Sequence, residues 1–445
     1  MGTVGIVGGG MLGMSLGLHL TRQGHRVTIF ERATGVGGLA ASAQIGDFTW
    51  DRFYHVTLLS DSSLGALLEE LGLAGKLRWA VTRTGVYGDG QLYSVSTSLE
   101  FLRFPLLSLL DKARLAVTIL YASRITDGRA LEAIPVTSWL ERWSGRRTFE
   151  RLWLPLLKSK LGENYRLASA SFIWAIIARM YSARRSGQKR EMFGYVEGGY
   201  DTILPRLYQH LVDSGVTVRL GQAVEEVRGV EGSATVRTGD GQTHEFDAVV
   251  LTLPCSRIGR VCPQIGPDER KRLDRVVYQG VACASMLLRR PLGGYYVTNI
   301  TDAGFPFTAV IEMTALVDRS AFGGHTLVYL PRYLAQDEAY WSKSDDEIRE
   351  DFLQGLERMY PDLRRDDVLA FEVSRVKEVL AIATLNYSAE AMPPLTTSVD
   401  HVFVVNSAQI ANGTLNVNET LALAERQAGE LASHLESRPL AASTS

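Results

Sequence analysis

A glycine-rich turn near the start of the chain, placed between two predicted strands, constrains the fold more than any other feature. Residues 4–7 are an apolar run typical of a buried strand, and Gly8, Gly10 and Gly13 follow in GxGxxG spacing. Gly8 permits the tight turn, Gly10 lets the backbone approach a pyrophosphate, and Gly13 lets the next helix pack close to the sheet. The free N–H groups at the start of that helix can bind phosphates. This order predicts a dinucleotide-binding βαβ unit.

The second strand of this unit is followed by an acidic residue. Gly24 ends the predicted helix, residues 26–30 form the next strand, and Glu31 lies 23 positions after Gly8. An acid about 20 residues beyond the turn is the usual partner of a ribose hydroxyl. Because strand, turn, helix, strand and acid agree, we interpret the segment as a site for a dinucleotide with an unphosphorylated ribose, and not as a turn made for packing alone.

Three blocks of the sequence resemble the FAD-dependent amine oxidase superfamily, which includes protoporphyrinogen oxidases, phytoene-type desaturases and monoamine oxidases. The first block, residues 8–42, contains Gly37 and Gly38. The second spans residues 198–227 and is followed by FDAVVLTLP, and the third spans residues 400–431. The resemblance covers nearly the whole chain and implies FAD as the cofactor.

The resemblance also implies how FAD is held. The backbone at Val224 would meet the adenine side, and the N-terminus of a helix near Asn416 would lie under the flavin. No cysteine follows Cys283, so we expect non-covalent FAD. The expected cofactor-binding residues are Gly8, Gly10, Met11, Leu12, Gly13, Glu31, Arg32, Gly37, Gly38, Leu39, Arg52, Val224, Asn406, Asn416 and Val417.

Two positions depart from the family pattern. Leu39 stands where members often carry arginine after the glycine pair, and Asn406 and Ser407 replace the usual Gly-Asp. The diphosphate charge therefore lacks its usual partner. We hypothesise that Arg52, in the stretch WDRFYHV, supplies the positive charge instead; the alternative is a surface arginine.

The length of the chain and the positions of the three blocks predict an α/β protein with two discontinuous domains. The chain has 445 residues, of which 46% are apolar, enough for more than one core. A Rossmann-like FAD-binding domain would comprise residues 1–84, 192–270 and 388–436. A second, α+β substrate domain with a helical insert would comprise residues 85–191 and 271–387, leaving 437–445 as a flexible tail.

The sequence lacks the characteristic residues of several other classes of protein. The three cysteines have no CxxC spacing and no neighbouring histidine cluster, so neither a disulfide framework nor a metal site is expected. The longest apolar stretches are far shorter than the ~20 residues of a spanning helix. The N-terminus lacks the basic stretch and cleavage site of a secretory signal. These features favour a cytoplasmic protein.

Residues 99–190 form a strongly basic insert of helical periodicity. They contain 17 Lys plus Arg against 7 Asp plus Glu, a net charge of +10. Three interpretations stay open: solvated helix faces, a site for an anionic or lipid-like substrate, and peripheral contact with a membrane. Nucleic acid is not favoured, because the aromatic residues lie in apolar stripes and not among the basic ones. No feature predicts the oligomeric state.

Candidate catalytic residues come from the substrate side. Glu312 is a candidate because a carboxylate on an otherwise apolar strand is costly to bury without a partner. It would face the pocket if strand alternation places it on the same side as Val310. His55 is a candidate proton carrier. Tyr387 matches the place where amine oxidases put an aromatic beside the flavin. Tyr329 and Tyr333 are weaker candidates, and a structural role is the alternative for each of these residues.

The predicted activity is oxidation or desaturation of a small organic molecule, at a C–C or C–N bond, by hydride transfer to flavin N5. The alternative is a redox-neutral isomerase that resembles UDP-galactopyranose mutase and acts on a nucleotide sugar or another anionic substrate. A non-catalytic FAD-binding scaffold is a third reading. Neither the substrate nor the electron acceptor can be read from the sequence.

Overall fold

The protein is described from a computed structural model that covers residues 2–185, 192–411 and 413–436, without the side chains of residues 182–185. The expected flexible tail, residues 437–445, lies outside the described residues. The strands, in chain order, are β1 (Thr3–Val7), β2 (Arg26–Phe30), β3 (Ser42–Ile45), β4 (Phe48–Asp51), β5 (Leu77–Val81), β6 (Thr84–Gly88), β7 (Gln91–Ser94), β8 (Met192–Val196), β9 (Thr217–Arg219), β10 (Val224–Val230), β11 (Ser233–Thr238), β12 (Thr243–Phe246), β13 (Ala248–Leu251), β14 (Tyr278–Leu288), β15 (Val297–Ile300), β16 (Ala309–Glu312), β17 (Thr326–Leu334), β18 (Val368–Ala381) and β19 (Val402–Val404).

The α-helices alternate with these strands and also form the helical insert. In chain order they are α1 (Met11–Arg22), α2 (Ser62–Glu70), α3 (Ser98–Arg103), α4 (Leu109–Ala122), α5 (Val136–Ser144), α6 (Arg146–Thr148), α7 (Leu154–Leu161), α8 (Ala170–Arg185), α9 (Tyr200–Asp213), α10 (Cys255–Val261), α11 (Pro267–Asp274), α12 (Asp345–Met359), α13 (Tyr387–Glu390) and α14 (Val417–Glu436). A π-helical turn, Phe149–Trp153, joins α6 to α7. No helix in the described ranges has both the length and the apolarity needed to cross a bilayer.

A five-stranded sheet, in which every neighbouring pair of strands is parallel, carries the N-terminal glycine turn. Its strand order is β19-β13-β1-β2-β9. Helices α1, α9 and α14 cover one face, where their apolar side chains share a core with β1 and β13. All five strands come from the three segments expected to form the FAD-binding domain. The predicted α/β fold with a Rossmann-like unit is confirmed.

The second large sheet has seven strands in the order β18-β14-β17-β16-β15-β6-β7, and only the β15–β6 pair is parallel. One face, which we call the hairpin face, packs on the hairpin β3–β4, where Ile311 and Trp50 share a core. The opposite face, the α12 face, packs on α12, where Val310 and Phe352 share another. The insert forms helices α3 to α8, and α7 packs on β17.

Helix α1 lies close to the glycine turn and to β2 because glycines line both contacts. A Cβ on Gly13 would overlap the carbonyl oxygen of Gly8, and one on Gly17 would lie 3.0 Å from Ile29 Cδ1. Gly429, on α14, offers a contrast, since no atom lies within 4 Å of the position its Cβ would take. Gly13 and Gly429 both have a helical backbone, but only Gly13 has no room for a side chain.

We predict that Gly13→Ala lowers the free energy of unfolding by about 1–3 kcal/mol, because the added methyl must displace the turn. Gly429→Ala should raise it by up to about 1 kcal/mol, since alanine is the better helix former. Urea unfolding of both variants measures these changes. Equal effects of the two substitutions would contradict the close approach of α1 to the glycine turn.

Candidate flavin and substrate site

The glycine turn leaves the N-terminus of α1 open to a ligand. Gly8 has φ +118°, and a Cβ there would overlap Thr252 Oγ1. Gly10 precedes α1, no side chain caps that helix, and its first turn has no acidic residue. A Cβ on Gly10 would find no atom nearer than 3.9 Å. Backbone N–H groups at Met11 and Leu12, whose side chains are buried, are therefore left for an anion.

Glu31 lies at the same edge of the sheet as this turn. Its Oε2 accepts a hydrogen bond from Gly9 N at 2.8 Å, and its Oε1 accepts one from Ala33 N at 2.8 Å. The segment before Val224 runs alongside, since Gln222 N donates to Glu31 O at 2.8 Å. The structure therefore brings Glu31 and the start of β10 beside the turn, which is the arrangement that an adenosine half requires.

The second glycine pair closes the turn from the other side. Gly37 N donates to Gly9 O at 2.9 Å, and Gly10 and Gly37 form an isolated parallel bridge. Both Gly37, at φ +117°, and Gly38, at φ +59°, use backbone conformations that favour glycine. Main-chain contacts therefore join the two turns directly.

Arg52 lies next to this pair and has unused donor capacity. Its Nη2 donates to Gly38 O at 2.9 Å, while its Nε is buried and has no hydrogen-bond partner. Burial lowers the pKa of the Arg52 guanidinium, and no carboxylate in the described ranges pairs with it. A half-buried cation without a counter-charge favours an anionic ligand, which would supply that charge. By contrast, Arg32 is exposed and Leu39 packs on the hairpin-face core.

The C-terminal candidates lie at the end of β19 and the start of α14. Asn406 is buried; its Oδ1 accepts a hydrogen bond from Ala408 N at 3.0 Å, and its Nδ2 donates to Leu253 O at 2.9 Å. It therefore ties together the chain after β13 and after β19. Asn416 Oδ1 accepts from Glu419 N at 3.0 Å and caps α14, whose first residue is Val417.

Glu312 does not face the pocket as the sequence predicted. Strand alternation does place it on the same side as Val310, but that side is the α12 face of the sheet. Its carboxylate accepts hydrogen bonds from three consecutive backbone N–H groups, those of Leu292 (3.3 Å), Gly293 (3.1 Å) and Gly294 (2.9 Å). These bonds explain a buried acid on an apolar strand, and they correct the expected orientation. They favour the structural alternative.

His55 lies near the hairpin β3–β4, beside a buried carboxylate. Its Nδ1 is 3.4 Å from Asp51 Oδ2, and its ring centroid is 4.9 Å from that of Tyr200. Asp51 Oδ1 also accepts from Tyr200 N at 2.7 Å, at the start of α9. A cavity of about 10 Å³ separates these groups from Met313, which is about the space of one water molecule.

Tyr387 is buried at the first turn of α13. Its hydroxyl donates to Ala408 O at 2.8 Å, and burial raises the pKa of that hydroxyl. Its ring packs in a core with Cys255 and Tyr278. The hydroxyl is already committed to the backbone, so only the ring is left to line a pocket.

A polar cluster on the hairpin face was missed by the sequence analysis except for Tyr333. Tyr54 and Tyr333 share a hydrogen bond of 3.0 Å between their hydroxyls, and Lys160 Nζ donates to Tyr333 Oη at 3.2 Å. Burial, followed by the influence of Tyr333, raises the pKa of Tyr54 well above its usual range. Lys160, from α7, has no ion pair within the described chain. Its position 173 residues from Tyr333 leaves no local sequence signal for this contact.

A second polar group lies close to the same insert. Gln279, on β14, is fully buried; its Oε1 accepts from Asn164 Nδ2 at 3.1 Å, while its Nε2 has no partner. The structure therefore leaves Gln279 Nε2 without an acceptor and the Lys160 ammonium without a carboxylate partner in the described chain. Both lie where α7 and the turn after it meet the seven-stranded sheet. In the described part of the chain, no group of His, Cys, Asp or Glu is arranged to hold a metal ion.

The comparisons with known proteins agree with the fold. The family model described as flavin containing amine oxidoreductase matches residues 13–411. The chain belongs to this family, and the resemblance predicted from the sequence is confirmed. Family membership implies a flavin cofactor.

Among curated relatives, coproporphyrinogen III oxidase of Mycobacterium tuberculosis is 23% identical over 301 residues, which is 63% of this chain and 65% of that protein. The chain thus spans slightly less than two thirds of this relative. The 15-cis-phytoene desaturase of Narcissus pseudonarcissus is 20% identical over 80% of this chain and 66% of that protein.

Two solved structures show the same fold at low identity. A putative protoporphyrinogen oxidase from Exiguobacterium has a TM-score of 0.76 at 20% identity, covering 97% of this chain and 99% of that one. Reduced UDP-galactopyranose mutase has a TM-score of 0.74 at 14% identity, covering 98% and 96%.

We predict that Arg52→Gln weakens FAD binding by about tenfold to a hundredfold, the value of a hydrogen bond to a charged group. Fluorescence titration of flavin-stripped protein with FAD measures this affinity. Arg26→Gln is the matched control, because Arg26 is exposed at the start of β2. Unchanged affinity in Arg52→Gln would show that the diphosphate charge is offset elsewhere.

Proposed function

We propose that the protein is an FAD-dependent oxidoreductase that binds FAD non-covalently and oxidises or desaturates a small organic substrate. The observation that carries this proposal is the position of Arg52, beside the two glycine turns and the uncapped N-terminus of α1, with its Nε unbonded and no carboxylate partner in the described chain. Family membership supports a flavin, and this arrangement supports its dinucleotide form, because a diphosphate would offset the Arg52 charge and take up the free N–H groups.

In this proposal the backbone holds most of FAD. The N–H groups after Gly10 and the guanidinium of Arg52 would bind the diphosphate, and Glu31 would accept a ribose hydroxyl after exchanging its bond with Gly9 N. The segment at Val224 would meet the adenine, and the dipole of α14 would stabilise negative charge on the flavin ring. When bound, FAD supplies a two-electron acceptor for a substrate C–H bond.

The substrate would lie against the hairpin face of the seven-stranded sheet. Pockets form preferentially at domain interfaces, and here the sheet meets residues 52–56 and α7. As an ammonium, Lys160 would bind an acidic or carbonyl group of the substrate. As a neutral amine, after giving up its own proton, it would take up the proton that is lost on oxidation. Tyr54 stays protonated because its pKa is raised, and its hydroxyl shares one hydrogen bond with that of Tyr333. Together with the bond from Lys160, this contact would fix the position of the Tyr333 hydroxyl.

A redox-neutral isomerase is the second candidate, because the basic insert would suit a nucleotide sugar. The mutase structure shares the fold of this chain at 14% identity. One experiment separates the two candidates: the purified protein is mixed anaerobically with coproporphyrinogen III, phytoene, putrescine or UDP-galactose. Bleaching of the oxidised flavin by one of the first three supports the oxidoreductase, and turnover of the sugar nucleotide only after prior reduction supports the isomerase.

We predict that Lys160→Met slows substrate-driven flavin reduction by about a hundredfold, in the range expected for loss of a positioned acid–base group. The visible flavin spectrum should stay unchanged, since Lys160 contacts Tyr333 and none of the expected FAD-binding residues. Stopped-flow absorbance measures the rate.

Lys158→Met is the matched control, because Lys158 lies on the same helix but is exposed and contacts Tyr165. If both variants reduce the flavin at the rate of the parent protein, Lys160 has no part in the reaction, whereas FAD binding itself is tested separately at Arg52.

A further inference from the structure

Helix α4 presents an apolar surface to solvent. Seven of the fifteen exposed large apolar side chains in the described chain lie on α3 and α4, and Leu109 and Leu110 are 71% and 62% exposed. We call this surface the α3–α4 apolar face; its members are Leu99, Leu102, Leu109, Leu110, Val117, Leu120 and Tyr121. Exposed apolar residues elsewhere, such as Val212 and Val230, are scattered singly on the surface, as is normal.

The buried side of α4 combines the apolar residues Leu115 and Ala122 with the polar residues Asp111, Lys112 and Thr118. An ordinary surface helix keeps such polar residues on its exposed side. Lys112 Nζ donates to Leu102 O at 2.7 Å, and the Asp111 carboxylate accepts from Ser108 Oγ at 2.6 Å. Thr118 Oγ1 lies 3.0 Å from Ser144 Oγ, and both hydroxyls are fully buried. These bonds fix the rotation of α4 about its axis. The apolar side cannot turn inward without leaving the charged groups unsatisfied.

Basic residues surround the α3–α4 apolar face. Arg103 ends α3, Arg114 follows Leu110 by four residues and so lies beside it on the helix surface, and Arg124 follows the end of α4. All three are exposed, and among the described residues none of them forms an ion pair. An apolar centre with a cationic border is complementary to an anionic membrane surface, where acyl chains accept leucine and headgroups accept arginine.

We propose that the α3–α4 apolar face docks on a bilayer that contains anionic lipids. Helix α4 has 14 residues, about 21 Å of helix, and would lie in the plane of the interface with its leucines among the acyl chains. Unpaired arginines favour a lipid surface over a second copy of this chain, because two copies would bring these cations together. The proposal is independent of the substrate and of the reaction.

The test is co-sedimentation of the flavin-loaded protein with phosphatidylcholine vesicles, with and without phosphatidylglycerol. We expect binding to the anionic vesicles, weakened when the salt concentration is raised, and little binding to the neutral ones. Leu109→Gln/Leu110→Gln should lower the partition coefficient on anionic vesicles by about tenfold or more, because two exposed leucines lose their transfer into the bilayer.

The matched control is Val212→Gln/Val230→Gln, which removes two exposed apolar side chains from α9 and β10 and should bind like the parent. An unchanged visible flavin spectrum and urea midpoint verify that each variant is folded. The proposal is overturned if the parent does not bind anionic vesicles, or if the leucine variant binds as well as the parent. Concentration-dependent self-association without vesicle binding, abolished in the leucine variant, would also overturn it and identify a second copy as the occupant.

Discussion

The close approach of α1 to the end of β1 is the contact on which the rest of the site depends. A helix that begins directly at the edge of a sheet can direct its N–H groups at a ligand only if no side chain lies between the helix and the turn before it. Gly13 meets this condition, because it has no Cβ where it contacts the Gly8 carbonyl oxygen. Gly37 then reaches Gly9 O through its own N–H, and Glu31 reaches Gly9 N. Because both bonds are short, moving α1 outward would separate the glycine turn from Gly37 and Glu31.

The two sheets are joined at Asp51, the last residue of β4. Its backbone oxygen accepts the hydroxyl of Tyr329 from the seven-stranded sheet, while its carboxylate caps α9, which covers the parallel sheet. Arg52 follows directly, so the residue proposed to meet the diphosphate is positioned by both sheets at once. A buried carboxylate with these partners resists displacement, since breaking one bond leaves a charge in a dry environment. The geometry between the cofactor turn and the hairpin face is fixed in this way.

Local sequence patterns predicted the geometry of the glycine turn, because most of its contacts lie within residues 8–38. Gly8, Gly13 and Glu31 lie at one edge of the sheet, as the spacing requires. Glu312 shows where such reasoning stops: alternation correctly paired it with Val310, but only the packing of α12 decides which face of β16 is buried under a helix and which meets the hairpin. Lys160 shows a second limit of prediction from sequence. Its partner Tyr333 lies on a strand 173 residues along the chain, and the periodicity of α7 does not indicate that contact.

The helical insert links the two proposals physically. Helix α4 packs on α5 and α8, and α7 packs on β17, whose Tyr333 meets Lys160. One group of helices therefore carries an apolar, cationic surface on its outside and an ammonium on the side that faces the sheet. An excess of basic residues in this insert is thus consistent with two separate demands, which explains why the net charge alone could not distinguish a substrate site from a membrane surface.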